Sequence, residues 1–308
     1  MMNEAQIVAK ESALLRAKVA DYITLTKPEL TFLSVLTALC GFYLASETFD
    51  LLSFTWVGLG TLFLGGGAGT LNQYLERNYD GLMKRTERRP LPSGRMQSVT
   101  ALTFGLILSA AGLGILFVLS GVLPGLLGLL TISSYLLVYT PMKRVSPSST
   151  LIGGIPGALP PLIGWTAASG AITTGGWILF LILFFWQMPH FFSLAWMYRK
   201  DYARAGYRML TAQDPVGTKT SLHIVVHCIL LLLTSILMTF AGLTGNMYAV
   251  GATILGVSFV GFALMFRWSS GDAGSTAVAK ANQSSRYLFF ASLLYLPALM
   301  FLMTVDKV

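Results

Sequence analysis

The chain has 308 residues, 54% hydrophobic and only 11% charged, with a mean hydropathy of +0.67. Soluble domains carry about 25% charged residues, so a water-soluble protein is excluded and an all-α polytopic membrane protein is implied. The net charge of +8 reads as topological, with membrane lipid or an anionic substrate as its counter-charge and no nucleic acid as partner.

Residues 1–28 lack an apolar core and a small-residue cleavage site, so they do not read as a leader. The expectation is a cytoplasmic tail with a short amphipathic helix on the membrane surface. Residues 29–308 are expected to form one transmembrane domain. Runs of roughly 17–25 apolar residues cross a bilayer. Nine candidate spans follow in order: 29–46, 54–75, 98–120, 122–140, 150–168, 177–198, 221–242, 247–266 and 286–304. The fourth and fifth contain Gly and Pro, which neighbouring helices can accommodate.

Of the 21 Lys and Arg residues, all but Lys307 fall in the N-terminal tail or in the loops after spans two, four, six and eight. The alternate loops have none. This asymmetry predicts a multi-pass protein with its N-terminus cytoplasmic and its C-terminus periplasmic, and a bacterial inner membrane is the expected location.

The end of span two and the loop after it read "NQYLERNYDGLMKRTERRPLPSGR", residues 72–95. Asn72, Glu76 and Asp80 are four residues apart, so a helix that continues past Asn72 lines them on one stripe. Oxygen ligands of this kind suit Mg²⁺, usually held by one or two carboxylates and substrate phosphates. A solvated helix end would also carry acids. Lys84, Arg85 and Arg88 follow directly, and Arg can fork onto phosphate oxygens. Positive-inside anchoring accounts for such residues equally well. Lys143 and Arg144 sit where span four ends, within reach of the same anion.

The loop after span six carries Tyr198, Lys200 and Asp201, placed like the first motif; Asp214 is farther out. Asp201 reads either as a metal ligand or as half of a surface ion pair. Inside span six, "WQMPH" holds Gln187 and His190, with Pro189 expected to kink the helix. An ionisable ring at that depth faces protein rather than lipid. It reads as a haem contact, a proton donor or an interhelix hydrogen bond. His223 and His227 have metal-compatible spacing but no third ligand in view. Cys40 and Cys228 read as small buried hydrophobes.

The stretches 72–95, 139–165 ("YTPMKRVSPSSTLIGGIPGALPPLIGW"), 186–196 ("WQMPHFFSLAW") and 199–210 ("RKDYARAGYRML") together resemble the intramembrane prenyltransferases of the UbiA type, and within them the haem-farnesylating members. The resemblance implies nine helices around a central cavity, with two acidic motifs that bind Mg²⁺ and an isoprenoid diphosphate. It places Asn72, Glu76, Asp80 and Asp201 as catalytic and metal-holding residues. Lys84, Arg85, Arg88, Lys143, Arg144, His190, Tyr198 and Lys200 are the expected substrate-binding set. The implied substrates are farnesyl diphosphate and protohaem IX, joined with addition of water. Prenyl transfer to a small aromatic quinone precursor, or transport of an anion, are the alternative readings. Contact with a downstream haem-modifying enzyme or an oxidase is a further expectation. Many members of the family carry two acids in each motif. Here Glu occupies the middle of the first and only Asp201 lies close in the second, which leaves a second metal without assigned ligands.

Overall fold

The computed structural model describes residues 4–308, with side chains described from residue 11 onward. Residues 1–3 of the predicted tail lie outside the described residues. The tail forms α1 (Glu4–Leu25). Then come α2 (Pro28–Ala45), α3 (Leu51–Asp80), α4 (Ser98–Ser120), α5 (Val122–Met142), α6 (Ser149–Ser169) and α7 (Thr174–Met197). A short α8 (Arg199–Arg204) precedes α9 (Thr218–Phe240), α10 (Asn246–Trp268) and α11 (Ser275–Val305). Among the described residues, nine helices are long and apolar enough to cross a membrane. The extended elements described amount to one isolated bridge, Thr244 with Lys307.

Local chemistry sets the helix starts. Pro28 sits in the first turn of α2, where its missing N–H costs nothing. Asp50 caps α3 by accepting from the amides of Leu52 (3.2 Å) and Ser53 (3.0 Å). Lipid-facing stripes are evident. On α9, Leu222, Val226, Ile229, Leu233 and Leu237 are all exposed at helical spacing. On α1, Leu15, Val19 and Ile23 form an exposed apolar row, and an Asp21–Arg95 ion pair at 2.9 Å fastens that helix to the loop after α3.

Small residues bring backbones together. A Cβ on Gly67 of α3 would lie 2.7 Å from the Ser109 amide of α4, and one on Gly112 would lie 2.8 Å from the Gly60 carbonyl. Between α2 and α6, Gly164 lies against the Ala38 carbonyl. Such contacts are how apolar helices associate without a hydrophobic driving force between them. One large core joins α7, α9, α10 and α11 around Trp186, Phe192, Tyr248, Phe259 and Leu288. A second joins α3 to α6 around Leu64, Leu116, Leu127 and Leu162.

Three departures from the predicted spans matter for the site. Helix α3 runs to Asp80, not 75, so Glu76 and Asp80 are helical. Helix α5 contains a π-helical stretch, Ser134–Tyr139, and such stretches favour functional sites. Helix α6 is two pieces, Ser149–Ala158 and Pro160–Ser169, meeting at Leu159. Pro160 and Pro161 have no N–H to continue the first piece. Helix α7, by contrast, is uninterrupted through Pro189.

Candidate active site

The stripe on α3 is buried: Asn72 is 0%, Glu76 6% and Asp80 1% exposed. Buried charge needs a partner, because desolvation costs several kcal/mol per ion. Each stripe residue has one cation, and each cation comes from a different segment. Lys27, between α1 and α2, donates Nζ to Asn72 Oδ1 at 2.6 Å. Lys143, just past α5, donates to Glu76 Oε1 at 2.8 Å. Arg89, in the loop after α3, donates Nη1 to Asp80 Oδ2 at 2.8 Å.

The two lysines differ because their partners differ. Burial, with the nearby Arg89 charge, pushes the Lys27 amine down to about 7. Burial opposes the charge on Lys143 too, but the Glu76 carboxylate outweighs it and holds that amine well above its ordinary value. Lys27 also has left-handed backbone geometry, φ 49°, strained for a residue with a Cβ. Among the described residues it is the one residue other than Gly with a positive φ, and strain of this kind clusters at functional sites.

Aromatic and hydroxyl groups complete the walls. The π-helical turn of α5 lets Thr140 donate Oγ1 to the Tyr135 carbonyl at 2.8 Å. Thr140 then accepts from Asn72 Nδ2 at 3.0 Å, which turns the amide oxygen toward Lys27. Lys143 Nζ lies 4.6 Å from the centroid of Tyr139, and Tyr135 and Tyr139 stack at 5.5 Å. Arg144 donates to the Tyr79 hydroxyl at 2.6 Å and covers its ring at 4.4 Å. Over these packs the segment after α7. Gly206, at φ 75°, reverses the chain, and Tyr207 is buried among Met83, Ala195 and Met209. The Tyr207 hydroxyl is buried without a partner among the described residues, and its ring centroid is 6.0 Å from Lys143 Nζ. Burial, then the Glu76 charge, raises its phenol above the ordinary value.

The structure thus gathers Asn72, Glu76, Asp80 and Lys143. It sets Arg144 on Tyr79, and Arg85 on the ring of Tyr198 at 5.1 Å and the Tyr202 hydroxyl at 3.1 Å. Asp201 pairs with Arg204 at 2.8 Å instead of joining the stripe. Lys84, Arg88 and Lys200 are exposed, and no hydrogen bond or ion pair links them to the stripe among the described residues. His190 lies between α7 and α11, stacked on Trp186 (5.1 Å) and Phe289 (4.9 Å), with Nδ1 2.8 Å from Ser292 Oγ. Gln187 donates to the Gly154 carbonyl at 2.7 Å. His223 and His227 stack on each other at 6.0 Å.

Lys27, Arg89, Thr140 and Tyr207 enter the site without having been singled out by sequence. Lys27 was one more basic residue of the tail. Arg89 sits beside Arg88 in a run of charges, and only the fold of the loop, with Thr86 donating to the Asp80 carbonyl at 2.8 Å, decides which one turns inward.

Among the described residues no three His, Cys, Asp or Glu side chains converge as a preformed metal cage. The donor set is two buried carboxylates and an amide. That set fits Mg²⁺, which keeps open positions for water and substrate phosphates.

Comparison with known proteins bears on the family and the fold. The UbiA prenyltransferase family matches residues 34–294. The chain is 42% identical over 291 residues to "Protoheme IX farnesyltransferase" of Opitutus terrae, covering 94% of this chain and 96% of that protein. It is 43% identical over 287 residues to the protein of the same name from Salinibacter ruber, covering 93% and 98%. Among solved structures, one of digeranylgeranylglyceryl phosphate synthase superposes with a TM-score of 0.75 at 18% identity, over 94% of this chain and 99% of that one. A UbiA homologue from Archaeoglobus fulgidus bound to DMAPP and Mg²⁺ gives 0.62 at 14% identity, over 90% and 99%. These structural likenesses speak for the fold, and the sequence matches speak for more: the chain belongs to the UbiA prenyltransferase family.

Proposed function

We propose that this protein transfers a farnesyl group from farnesyl diphosphate to a vinyl group of protohaem IX, with addition of water, in a bacterial inner membrane with its N-terminus cytoplasmic. The observation that carries the site assignment is the stripe itself: three buried oxygen-bearing residues, each met by a cation from a different segment. The names of the relatives supply the acceptor and the donor.

Asn72, Glu76 and Asp80 would hold Mg²⁺, with Asp201, now paired with Arg204, as the acid assigned from the second motif. When bound, Mg²⁺ supplies charge neutralisation that makes diphosphate a better leaving group. Lys27, Lys143 and Arg89 are the cations that turn from the stripe to the phosphate oxygens, with Arg85, Arg88, Arg144 and Lys84 supporting. The C–O bond of the allylic carbon breaks, and its electron pair leaves with diphosphate. The terminal vinyl carbon of haem bonds to that allylic carbon. Water adds to the resulting cation next to the porphyrin and releases a proton. The faces of Tyr135, Tyr139 and Tyr207 stabilise positive charge on carbon by cation–π attraction. The Met83–Tyr207–Met209 packing keeps bulk water from that cation until the new bond exists.

The test is Asp80→Ala in full-length protein, read by chromatography of extracted haems. Loss of farnesylated haem with normal membrane insertion is expected. Near-normal product would overturn the assignment of the stripe.

A further inference from the structure

We propose that the cleft between the start of α8 and the start of α11 docks the two propionates of haem; this rests on haem being the acceptor. The cleft encloses about 360 Å³ and is lined by Tyr198, Arg199, Lys200, Asp201, Asn282 and Arg286, among others. A neighbouring hollow of about 530 Å³ shares Asn282 and Arg286 and continues along α11 past Tyr287 and Phe290.

The charges in the cleft are unevenly committed. Arg199 donates to the Trp196 carbonyl at 2.8 Å and to Asn282 Oδ1 at 3.0 Å. Asp201 is held by Arg204 at 2.8 Å. Lys200 and Arg286 are exposed and have no hydrogen-bond or ion-pair partner among the described residues. Two cations without a protein partner among the described residues therefore line one cleft. Beyond them the surface changes character: Tyr287 is 48% and Phe290 60% exposed on the same face of α11. That face then runs into the apolar part of the helix, where Leu294 is exposed.

A ligand that satisfies both halves has two anionic groups at one edge and a flat apolar body, and reaches the cleft from the bilayer. Free phosphate or diphosphate would use the cations and leave the aromatic face uncovered. Haem has both parts. Its propionates are on two adjacent pyrroles and its vinyls on the other two. Holding the propionates at Lys200 and Arg286 therefore leaves the reacting edge free. Tyr198 ties this cleft to the first motif, because its ring also carries the Arg85 guanidinium at 5.1 Å. Arg fits a carboxylate with two parallel hydrogen bonds, which makes Arg286 the more selective of the two cations.

Exposed cations at a membrane boundary also attract anionic headgroups, so the test separates the two ligands. Full-length protein in neutral-lipid nanodiscs is titrated with haem and with haem dimethyl ester, without farnesyl diphosphate, and followed by absorbance. Wild type is expected to bind haem about tenfold more tightly than the ester, the scale of a charge-assisted hydrogen bond. Arg286→Gln should lose most of that preference, Arg286→Lys should keep part of it, and KM for farnesyl diphosphate should hold in both. The proposal is overturned if wild type does not distinguish haem from its ester, or if Arg286→Gln keeps the full preference. It is equally overturned if the substitution alters only the response to added anionic lipid. Should Arg286→Gln fail to fold, the wild-type comparison alone decides. Farnesylated haem formed without any preference sinks only the cleft; no farnesylated haem from wild type sinks the acceptor reading, and the cleft with it.

Discussion

The two ends of the bundle use charge in opposite ways. At the basic end, Lys27, Lys143 and Arg89 all point at side-chain oxygens of α3. At the other end, Lys307 donates to the carbonyls of Tyr43 (2.7 Å) and Ser46 (2.5 Å). Beside it, Asp306 Oδ2 accepts from the Tyr248 amide at 2.6 Å, and its carbonyl accepts from the Gly245 amide at 2.8 Å. The three cations at the stripe thus meet side chains, whereas the Lys307 amine and the Asp306 carboxylate meet backbone. A backbone carbonyl at a helix end has nowhere to go, so Lys307 staples the end of α11 to α2 and Asp306 staples it to α10. A carboxylate and a lysine that meet by their tips can each turn to another partner. The difference fits the proposal that ligand replaces protein contacts at the basic end.

The largest effect that tests this contrast comes from Glu76. Glu76→Gln should leave Lys143 buried without its counter-charge and cost about 3–5 kcal/mol, the usual penalty for breaking one side of a buried pair. The double substitution Glu76→Gln/Lys143→Met should recover much of that loss in thermal unfolding, because neither charge then remains buried. Activity should not return with it. Recovery of both stability and product formation would mean that the pair is structural, like the far end.

Next in size is Lys307→Met. Two hydrogen bonds from one charged, partly exposed donor are lost, at a cost of about 1.5–3 kcal/mol together. The melting temperature should fall, while kcat and KM for farnesyl diphosphate at a permissive temperature should stay near wild type. A well-folded Lys307→Met protein without activity would erase the distinction between the ends.

Much of this architecture was legible because membrane rules are strict. Apolar length gave nine spans, and the lone position of Lys307 marked the far end before its contacts were visible. The i, i+4, i+8 spacing of Asn72, Glu76 and Asp80 needed only that α3 continue to Asp80, which it does. What stayed hidden depended on three-dimensional closure. The approach of Lys27 and of Thr140 to Asn72 depends on packing between segments distant in sequence, and the choice of Arg89 over Arg88 depends on how the loop after α3 folds back on Asp80. Asp201 shows the converse: its motif position suggested a place beside the stripe, yet its partner is Arg204, three residues away, because α8 is a separate turn of helix.

The smallest expected effect concerns Lys84 and Arg88, and it tests the contrast within the basic end itself. Both side chains are exposed, so any pull they exert on a diphosphate passes through water. Exposed ion pairs contribute about 0.2–1 kcal/mol, which corresponds to a rise in KM for farnesyl diphosphate of at most about fivefold in Lys84→Ala/Arg88→Ala. Screening shortens from about 10 Å at 0.1 M salt to about 3 Å at 1 M, so this difference from wild type should close as salt is added. Arg89 is different: its side chain is 22% exposed but meets an Asp80 side chain only 1% exposed, and a partly buried pair is screened much less. The defect of Arg89→Met should therefore persist at 1 M. If the Lys84/Arg88 defect also persists, those side chains touch the substrate directly. The loop after α3 must then lie closer over the bound substrate than it does over the stripe in this structure.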